Sequence, residues 1–339
     1  MTGAVTAALA PAPRVFSTVG LPDRRRIELW EGHNAAALIG LRCQTSGPGA
    51  LAATEINASA GQVQLARVAG SPHVVERTAA DIRRAPADAI AVYVTLRGEA
   101  WFEHAGGRLA LRPGHVLLCE ADRPFARGFA RGLEELAIKV PRPAFTAGTG
   151  LASVASPVIA DAGGRDPYAR ALARLAGRAA RRERAVPADE RAVLELVAVL
   201  AAGPDADRPA AYRAAARSFI EGRLADPGLT AAQVAAATGI SERHLSRIFA
   251  ADGTSIPRHV LARRLQLAHA MLADPARADP ALAGQATPNP ASVGLTVADV
   301  AARCGFTSAA HFSHAFRQQF GQRAGDVRRQ ARAARMAAA

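Results

Sequence analysis

The chain is poor in lysine and cysteine and has no long apolar run. Lys139 is the only lysine, so the formal net charge of +13 comes from arginine. Cys43, Cys119 and Cys304 lie far apart, which leaves neither a disulfide framework nor a metal-ligand spacing and fits a reducing compartment. No segment approaches the ~20 apolar residues of a membrane helix, and the N-terminus lacks the pattern of a signal peptide. We therefore expect a cytoplasmic protein with no membrane partner.

The chain is long enough for two domains, and its charge is unevenly distributed. It has 339 residues, of which 50% are hydrophobic, so two proper cores can form. From residue 211 onward there are 16 arginines and 8 acidic residues, whereas residues 1–210 carry 26 basic and 21 acidic residues. The shorter portion thus holds the larger basic excess, as a phosphate-binding surface requires.

Strand patterns dominate the first half of the chain. Residues 1–18 show no periodicity and predict a loose tail. Short strands separated by Gly and Pro turns then indicate an antiparallel barrel or sandwich. The clearest predicted strands are Ile90–Leu96, Ala100–His104, Arg108–Arg112, His115–Glu120 and Leu133–Val140.

From Pro167 the apolar period changes from two to about 3.6, which predicts helices. Residues 148–164 before it are rich in Gly, Ala and Ser and predict a loop. The second helix of the pair, Ala188–Ala202, carries an apolar stripe. That stripe could pack within the chain or form a homodimer contact, and the pattern leaves both open. The stripe consists of Val193, Leu194, Leu196, Val197 and Leu200.

Two segments near the C-terminus repeat one another. Thr230, Val234, Ala235 and Gly239 correspond to Thr296, Val300, Ala301 and Gly305 at a constant offset, and one extra residue follows the second glycine. Two copies of one unit indicate a repeated supersecondary structure. Between them, the proline-containing stretch Asp274–Leu295 predicts an irregular connector.

Each copy has the logic of a helix-turn-helix. The glycine stops the first helix in a left-handed conformation, Ile240 or Phe306 fills the corner, and three apolar residues anchor the second helix. The remaining positions of the second helix should face outward, where they can bond base edges or phosphates. In the first unit these are Glu242, Arg243, Ser246 and Arg247; in the second they are Ser308, Ala309, Ala310, Ser313, His314 and Arg317.

Some of these residues have alternative roles. Arg243 and Arg247 are the best candidates for base readers, since arginine bonds guanine through two hydrogen bonds, but either could clamp a phosphate instead. Arg317 fits a phosphate contact better than a base contact. Ser241 fits a helix N-cap better than a DNA contact.

The segments Ser241–Leu272 and Val297–Gly321 resemble the DNA-binding domain of AraC/XylS-type transcriptional regulators. The resemblance covers about residues 212–330. It implies two helix-turn-helix units that enter successive major grooves of double-stranded DNA, with RNA polymerase as a further partner and the bacterial nucleoid as the location of the bound protein. It also implies an N-terminal cupin-like sensor domain. The points of similarity to such domains are Trp30, the segment His73–Thr78 and the turn Pro113-Gly114.

The sequence departs from the family pattern in three places. Arg323-Ala324 replaces the Ser/Thr-Pro pair that usually opens the last helix, so we expect that helix to start late, near Gly325. The connector is longer than usual. Ala309 and Ala310 stand where many members carry longer polar side chains, which predicts that the second unit is the less sequence-demanding reader.

The resemblance implies a small-molecule effector bound in the N-terminal barrel. His73, Tyr93, Arg97 and Trp101 lie on or near predicted strands and could line its pocket, although aromatic residues there are more often core. His73, His104 and His115 do not form the His-x-His pattern with a following Glu that a metal cupin needs. We therefore expect no metal and no cofactor.

These observations predict an α+β multidomain chain. We expect a flexible tail at 1–24, a cupin-like antiparallel β-barrel with flanking helices at 25–147, and a helical linker at 148–210 that could form a dimer contact. An all-α DNA-binding domain follows at 211–335, with helix-turn-helix units at 230–250 and 296–317 joined by a linker helix. The predicted function is a ligand-responsive transcription factor rather than an enzyme.

Two alternatives from other classes stay open. One is a cupin-type metalloenzyme with an appended helical domain. The other is a DNA-repair regulator with a cysteine methyl acceptor, which would need a reactive cysteine beside an activating base.

Overall fold

A computed structural model describes residues 13–154, 156–164, 166–182, 185–203, 208–273 and 295–338. Contacts within this part of the chain define two compact units. The β unit contains the described residues of 13–182 and of 188–214, and the helical unit contains residues 185–187, 215–273 and 295–338. Within the described residues, every helix is too short or too polar to cross a bilayer.

The β unit is built from two antiparallel sheets. One has seven strands in the order β1-β3-β4-β11-β6-β9-β12, and the other has five in the order β2-β5-β10-β7-β8. The strands are β1 Arg14–Ser17, β2 Arg42–Thr45, β3 Ala53–Ala60, β4 Val63–Gly70, β5 His73–Arg77, β6 Ala89–Arg97, β7 Ala100–His104, β8 Gly107–Leu111, β9 His115–Glu120, β10 Phe125–Phe129, β11 Leu133–Pro141 and β12 Val158–Asp161. This arrangement confirms the predicted cupin-like barrel.

Both faces of the seven-stranded sheet are buried, which explains the continuous apolar run of β6. Ala91 and Tyr93 point to the core between the sheets. Ile90 and Val92 point the other way, to a second core beneath helices. Those helices are α3 Arg142–Thr149, α4 Pro167–Ala179 and α5 Glu190–Ala202, while α1 Arg26–Ala37 and α2 Ala79–Arg84 belong to the same unit.

The apolar stripe of α5 is used inside the chain. Val193, Leu196, Val197 and Leu200 are buried in the core beneath the sheet, and Leu194 packs against it. Asp189 caps the helix by accepting a hydrogen bond from the Arg191 amide. Packing within the chain is therefore the correct interpretation of this stripe, and a homodimer stays a prediction without an assigned surface.

Two short strands lie in segments that the sequence patterns assigned to a tail and to a loop. Arg14–Ser17, predicted as loose tail, pairs with β3, and Thr18 beyond it is fully buried with its hydroxyl donating to the Leu51 carbonyl at 2.8 Å. Val158–Asp161, predicted as loop, pairs with β9. Each strand has only four residues and is stabilised by a distant partner, so local periodicity could not reveal it.

The helical unit follows the predicted order. A long helix, α6 Arg208–Gly222, begins in the β unit and continues into the helical unit from residue 215. It is followed by α7 Ala231–Thr238, α8 Glu242–Ala251, α9 Ile256–Ala273, α10 Val297–Arg303, α11 Ala309–Phe320 and α12 Ala324–Ala338. The last helix begins three residues after Gly321, slightly before the predicted late start near Gly325. The predicted connector Asp274–Leu295 lies outside the described residues except for Leu295.

Candidate nucleic-acid interface and effector cavity

The first helix-turn-helix unit consists of α7 and α8. Thr230 and Gln233 form a capping box, in which the Thr230 hydroxyl accepts from the Gln233 amide at 3.3 Å and the Gln233 side chain accepts from the Thr230 amide at 3.2 Å. Gly239 ends α7 in the left-handed conformation with φ +73°. The Ser241 hydroxyl accepts from the His244 amide at 3.2 Å, which confirms the N-cap role.

Helix α8 separates an apolar face from a charged face. Its anchors Leu245, Ile248 and Phe249 are buried. The four predicted reading residues are all exposed: Glu242, Arg243, Ser246 and Arg247. Among the described residues neither Arg243 nor Arg247 has a hydrogen-bond or ion-pair partner for its guanidinium. Two unneutralised arginines on one exposed helix face can bond phosphates or guanine edges.

The second unit repeats this plan in α10 and α11. Thr296 and Asp299 form its capping box. Gly305 has φ +81°, and Phe306 fills the corner with 8% of its surface exposed. Thr307 lies between that corner and the N-cap Ser308, so it is the extra residue that the repeat contains.

The outer face of α11 carries fewer charges than that of α8. Phe312, Ala315 and Phe316 are buried. All six predicted reading residues are exposed: Ser308, Ala309, Ala310, Ser313, His314 and Arg317. The Ser308 hydroxyl is already engaged as the helix cap, accepting from the His311 amide at 3.3 Å.

The interior of the second unit is aromatic. Phe306, Phe312, Phe316 and Phe320 form a chain of ring contacts with centroid distances of 4.7–5.4 Å. The His269 ring of α9 stacks on Phe316 at 5.7 Å and meets Phe320 edge-on at 4.5 Å. Burial lowers the pKa of His269, so its neutral form is favoured in the folded chain.

The three cysteines are poor nucleophiles. Cys43, Cys119 and Cys304 are buried, and burial raises the pKa of each thiol to about 12. The thiolate is the reactive form, so none of them suits a methyl acceptor or a redox sensor at neutral pH. Within the described residues, His73, His104 and His115 belong to no group of three or more side chains that could hold a metal.

A small cavity lies between the two sheets of the β unit. It encloses about 40 Å³ and is lined by apolar side chains together with Trp30, His73, Tyr93, Arg127 and Glu135. Arg127 donates to both carboxylate oxygens of Glu135 at 3.0 and 2.6 Å, and the Tyr93 ring lies 3.7 Å from its guanidinium carbon. Arg127 is 1% exposed, and its Nε has no hydrogen-bond partner among the described residues.

The cavity contains two of the four predicted effector residues. His73 and Tyr93 line it, and burial lowers the pKa of His73. Arg97 is exposed, with its Nη2 3.5 Å from Glu134 Oε2. Trp101 alternates with the buried Phe102 and therefore lies on the outer face, under the Arg108 guanidinium. Arg97 and Trp101 therefore do not line this cavity, and the effector role of all four residues stays a prediction.

Arg127 and Glu135 were missed, although a signal was available. In Phe125–Phe129 the side chains alternate, so Arg127 shares a face with two phenylalanines. A buried arginine needs a carboxylate partner to offset the cost of removing its charge from water. An acidic residue was therefore to be expected beside Arg127.

A much larger groove opens where β5, β7, β9 and β10 meet at one edge of the barrel. Its volume is about 730 Å³. The floor includes Phe102 and Phe125, whose rings stack at 5.4 Å, and the rim includes Glu103, His104 and Arg123. None of these residues was predicted from the sequence to bind an effector.

Family models match both parts of the chain. The model of the AraC-binding-like domain matches residues 30–225, and the model of bacterial regulatory helix-turn-helix proteins of the AraC family matches residues 290–322. The second match covers the second helix-turn-helix unit; the first unit is identified here by its structure and by the internal repeat.

Individual proteins are also similar to this chain. The chain is similar to the transcriptional activator NphR of Rhodococcus sp, with 24% identity over 286 residues, which cover 80% of this chain and 78% of that protein. It is 31% identical over 115 residues to the transcriptional activator RhrA of Rhizobium meliloti (strain 1021), but the match spans only 34% of this chain and 32% of that protein. Among solved structures, the AraC-like transcriptional activator CuxR matches with a TM-score of 0.46 and 19% identity, over 77% of this chain and 96% of that chain.

Proposed function

The chain belongs to the AraC family of transcriptional regulators, and from this premise we propose that it binds a promoter through both helix-turn-helix units and activates transcription there. The single observation that carries the proposal is the pair of matched units, each with a capped second helix whose exposed face is polar. The relatives named as transcriptional activators support the direction of regulation, which would involve contact with RNA polymerase.

The two units share the work unequally in this proposal. Arg243 and Arg247 of α8 read bases in one major groove, since both are exposed and unneutralised. Helix α11 enters the next groove and supplies His314, a phosphate contact from Arg317 and apolar contacts from Ala309 and Ala310. Sequence specificity therefore rests mainly on α8, while α11 adds affinity and register.

A small molecule bound by the β unit is the second part of the proposal. The interior cavity of about 40 Å³ holds little more than water, whereas the groove of about 730 Å³ falls in the range of roughly 300–1,000 Å³ typical of ligand pockets. The stacked Phe102 and Phe125 favour an apolar or aromatic effector, and the rim of Glu103, His104 and Arg123 offers bonds to a polar substituent. Binding would shift an existing equilibrium between DNA-binding states.

The DNA-binding proposal is tested by sequencing the fragments that the purified full-length protein selects from genomic DNA, with and without candidate aromatic metabolites. We expect enrichment of a sequence with two conserved segments, and a change in occupancy with one metabolite. A gel shift and a metal analysis accompany the selection. Stoichiometric iron or manganese with no DNA retardation would instead support the metalloenzyme.

The groove is tested with a matched pair of substitutions on exposed alanines. Ala105 lines the groove, and Ala110 lies on the neighbouring strand β8 outside it. A105W should abolish the response to the metabolite while leaving DNA binding without it unchanged, and A110W should keep both. An unaltered response in A105W would move the effector site away from the groove.

A further inference from the structure

The linker helix α9 belongs to both helix-turn-helix units. Ile256 and Val260 are buried in the core of the first unit, while Leu265, Ala268 and Leu272 are buried in the core of the second. A single continuous helix therefore crosses from one core to the other. Its rigidity alone fixes the distance between the units, but rotation of the second unit about α9 has to be stopped by other contacts.

Arg264 makes such a contact at the point where the two cores meet. It lies between Val260 of the first core and Leu265 of the second, and it is half-buried. Its Nε donates to the Leu224 carbonyl at 2.9 Å and its Nη2 donates to the Asp226 carbonyl at 2.5 Å. Both carbonyls belong to the turn that follows α6 and precedes the first unit. A planar guanidinium that donates to two backbone carbonyls restricts movement of that turn relative to α9.

The turn of the second unit lies close against the same guanidinium. A Cβ atom on Gly305 would lie 2.6 Å from the Leu224 carbonyl oxygen and 3.0 Å from Cζ and Nε of Arg264. The backbone of Gly305 therefore contacts both the arginine and the carbonyl that the arginine binds. The equivalent Gly239 has nothing within 4 Å of such an atom, so this close approach is a property of the second turn and not of the repeated motif.

From this juxtaposition we propose that Arg264 is a positioning residue that locks the orientation of the second reading helix relative to the first. The lock sets the spacing between the two DNA segments that the protein accepts. This inference rests on the proposed function, in which both units contact one duplex. It adds a determinant of spacing that lies on neither reading helix.

The experiment uses the full-length protein and three DNA duplexes. One carries the two segments at the spacing selected by the wild-type protein, and the others carry one base pair more or one fewer between them. Each single step moves the second segment by about 3.4 Å and about 35° around the helix axis. A further duplex that carries only the segment read by the first unit reports whether that unit is intact.

Wild-type protein should lose affinity at least about tenfold when the spacing changes, since base contacts of the second unit are lost. R264Q should bind the three spacings within about threefold of one another, because a loosely held unit can follow its segment. Its affinity for the single segment should match that of the wild type. R264K keeps the charge but not the two-pronged geometry, and it should behave like R264Q.

The matched control is R223Q, which removes one charge from the same turn. Arg223 pairs with the Asp226 side chain, with 2.6 Å between Nη2 and Oδ2, and does not contact either carbonyl that Arg264 binds. R223Q should keep the wild-type preference for one spacing.

The outcomes separate the lock from the function on which it rests. If wild-type protein retains no DNA, the proposed function fails. If it retains DNA but R264K, or a folded R264Q, discriminates spacing as strongly as the wild type, Arg264 is not the lock. Equal binding of all three spacings by the wild type would also overturn the inference.

Discussion

The two helix-turn-helix units share a backbone plan but differ inside and outside. The first has a mostly aliphatic core with one buried phenylalanine, Phe249, and the half-buried Phe219 packed against it, and its outer face has two arginines. The second has four phenylalanines in contact and an outer face dominated by alanine, serine and histidine. The buried and exposed positions of an amphipathic helix lie on different faces, so the residues on one face can change without changing the other. One fold can therefore carry one unit that recognises a sequence and another that mainly adds affinity.

The largest expected effect concerns the two cores. Phe249→Ala and Phe316→Ala should each lower the free energy of unfolding by about 3–5 kcal/mol, since both rings are fully buried. Phe316→Ala should lie at the upper end because it also removes contacts with Phe312, Phe320 and His269. Urea unfolding followed by far-UV circular dichroism measures both. A larger loss in Phe249→Ala would contradict the contrast between an aromatic and an aliphatic core.

The two turn glycines provide a matched pair with a smaller effect. Gly239→Ala should cost about 1–2 kcal/mol, the strain of an L-residue in the left-handed conformation. Gly305→Ala has the same strain and also a clash with the Leu224 carbonyl, so it should cost at least about 1 kcal/mol more. The same unfolding experiment compares the two variants. Equal losses of unfolding free energy would show that the second turn can accommodate a Cβ atom without a clash.

Two arginines on the outer faces test the division of labour. Arg247→Ala should weaken binding to the selected site by about 1–3 kcal/mol and bind random DNA nearly as well as the wild type. Arg317→Ala should weaken binding to the selected site and to random DNA about equally. It should also reduce the slope of log affinity against log salt concentration by about one. Fluorescence anisotropy at several salt concentrations distinguishes the two patterns. Equal losses for Arg247→Ala on both DNAs would reassign it to a phosphate.

The smallest effect is a pH dependence that belongs to the second core. Burial lowers the pKa of His269 below its ordinary value of 6.5. Its contribution to stability is thus complete above that value and is lost as the pH falls towards the lower folded-state pKa. His269→Phe should remove this part of the dependence of stability on pH below about pH 6.5. Wild type and variant are compared at each pH, because His33 and His73 of the β unit titrate in both.

The helix-turn-helix units could be predicted closely because their signals are local. Thr230, Gly239 and Ser241 act within four residues of where they stand, and each has its predicted role as cap or helix stop. The strands Ala100–His104 and His115–Glu120 were likewise predicted to the residue from alternation and turn glycines.

The features that depend on distant partners could not be predicted. Strand β1 exists because of β3, about 40 residues later in the sequence. The partner of Arg127 lies on the next strand, and the floor of the groove combines residues of β7 and β10. Strand pairing decides the first and the third of these features. The second depends on how one sheet packs on the other, because β10 and β11 belong to different sheets, and one sequence specifies neither. The exposure of the reading residues followed from helical periodicity, whereas the DNA bases they contact stay a prediction.

The layer of helices on the outer face of the seven-stranded sheet has a practical consequence for dissecting the protein. Val92, Leu118 and Ile138 share one core with Leu172, Leu196 and Ala214. A fragment truncated at residue 147, where strand patterns end, would leave that sheet face exposed to water and prone to aggregation. A fragment that continues to residue 214 keeps the helices that bury this sheet face. Metabolite binding by the β unit can therefore be measured in that fragment without the DNA-binding helices.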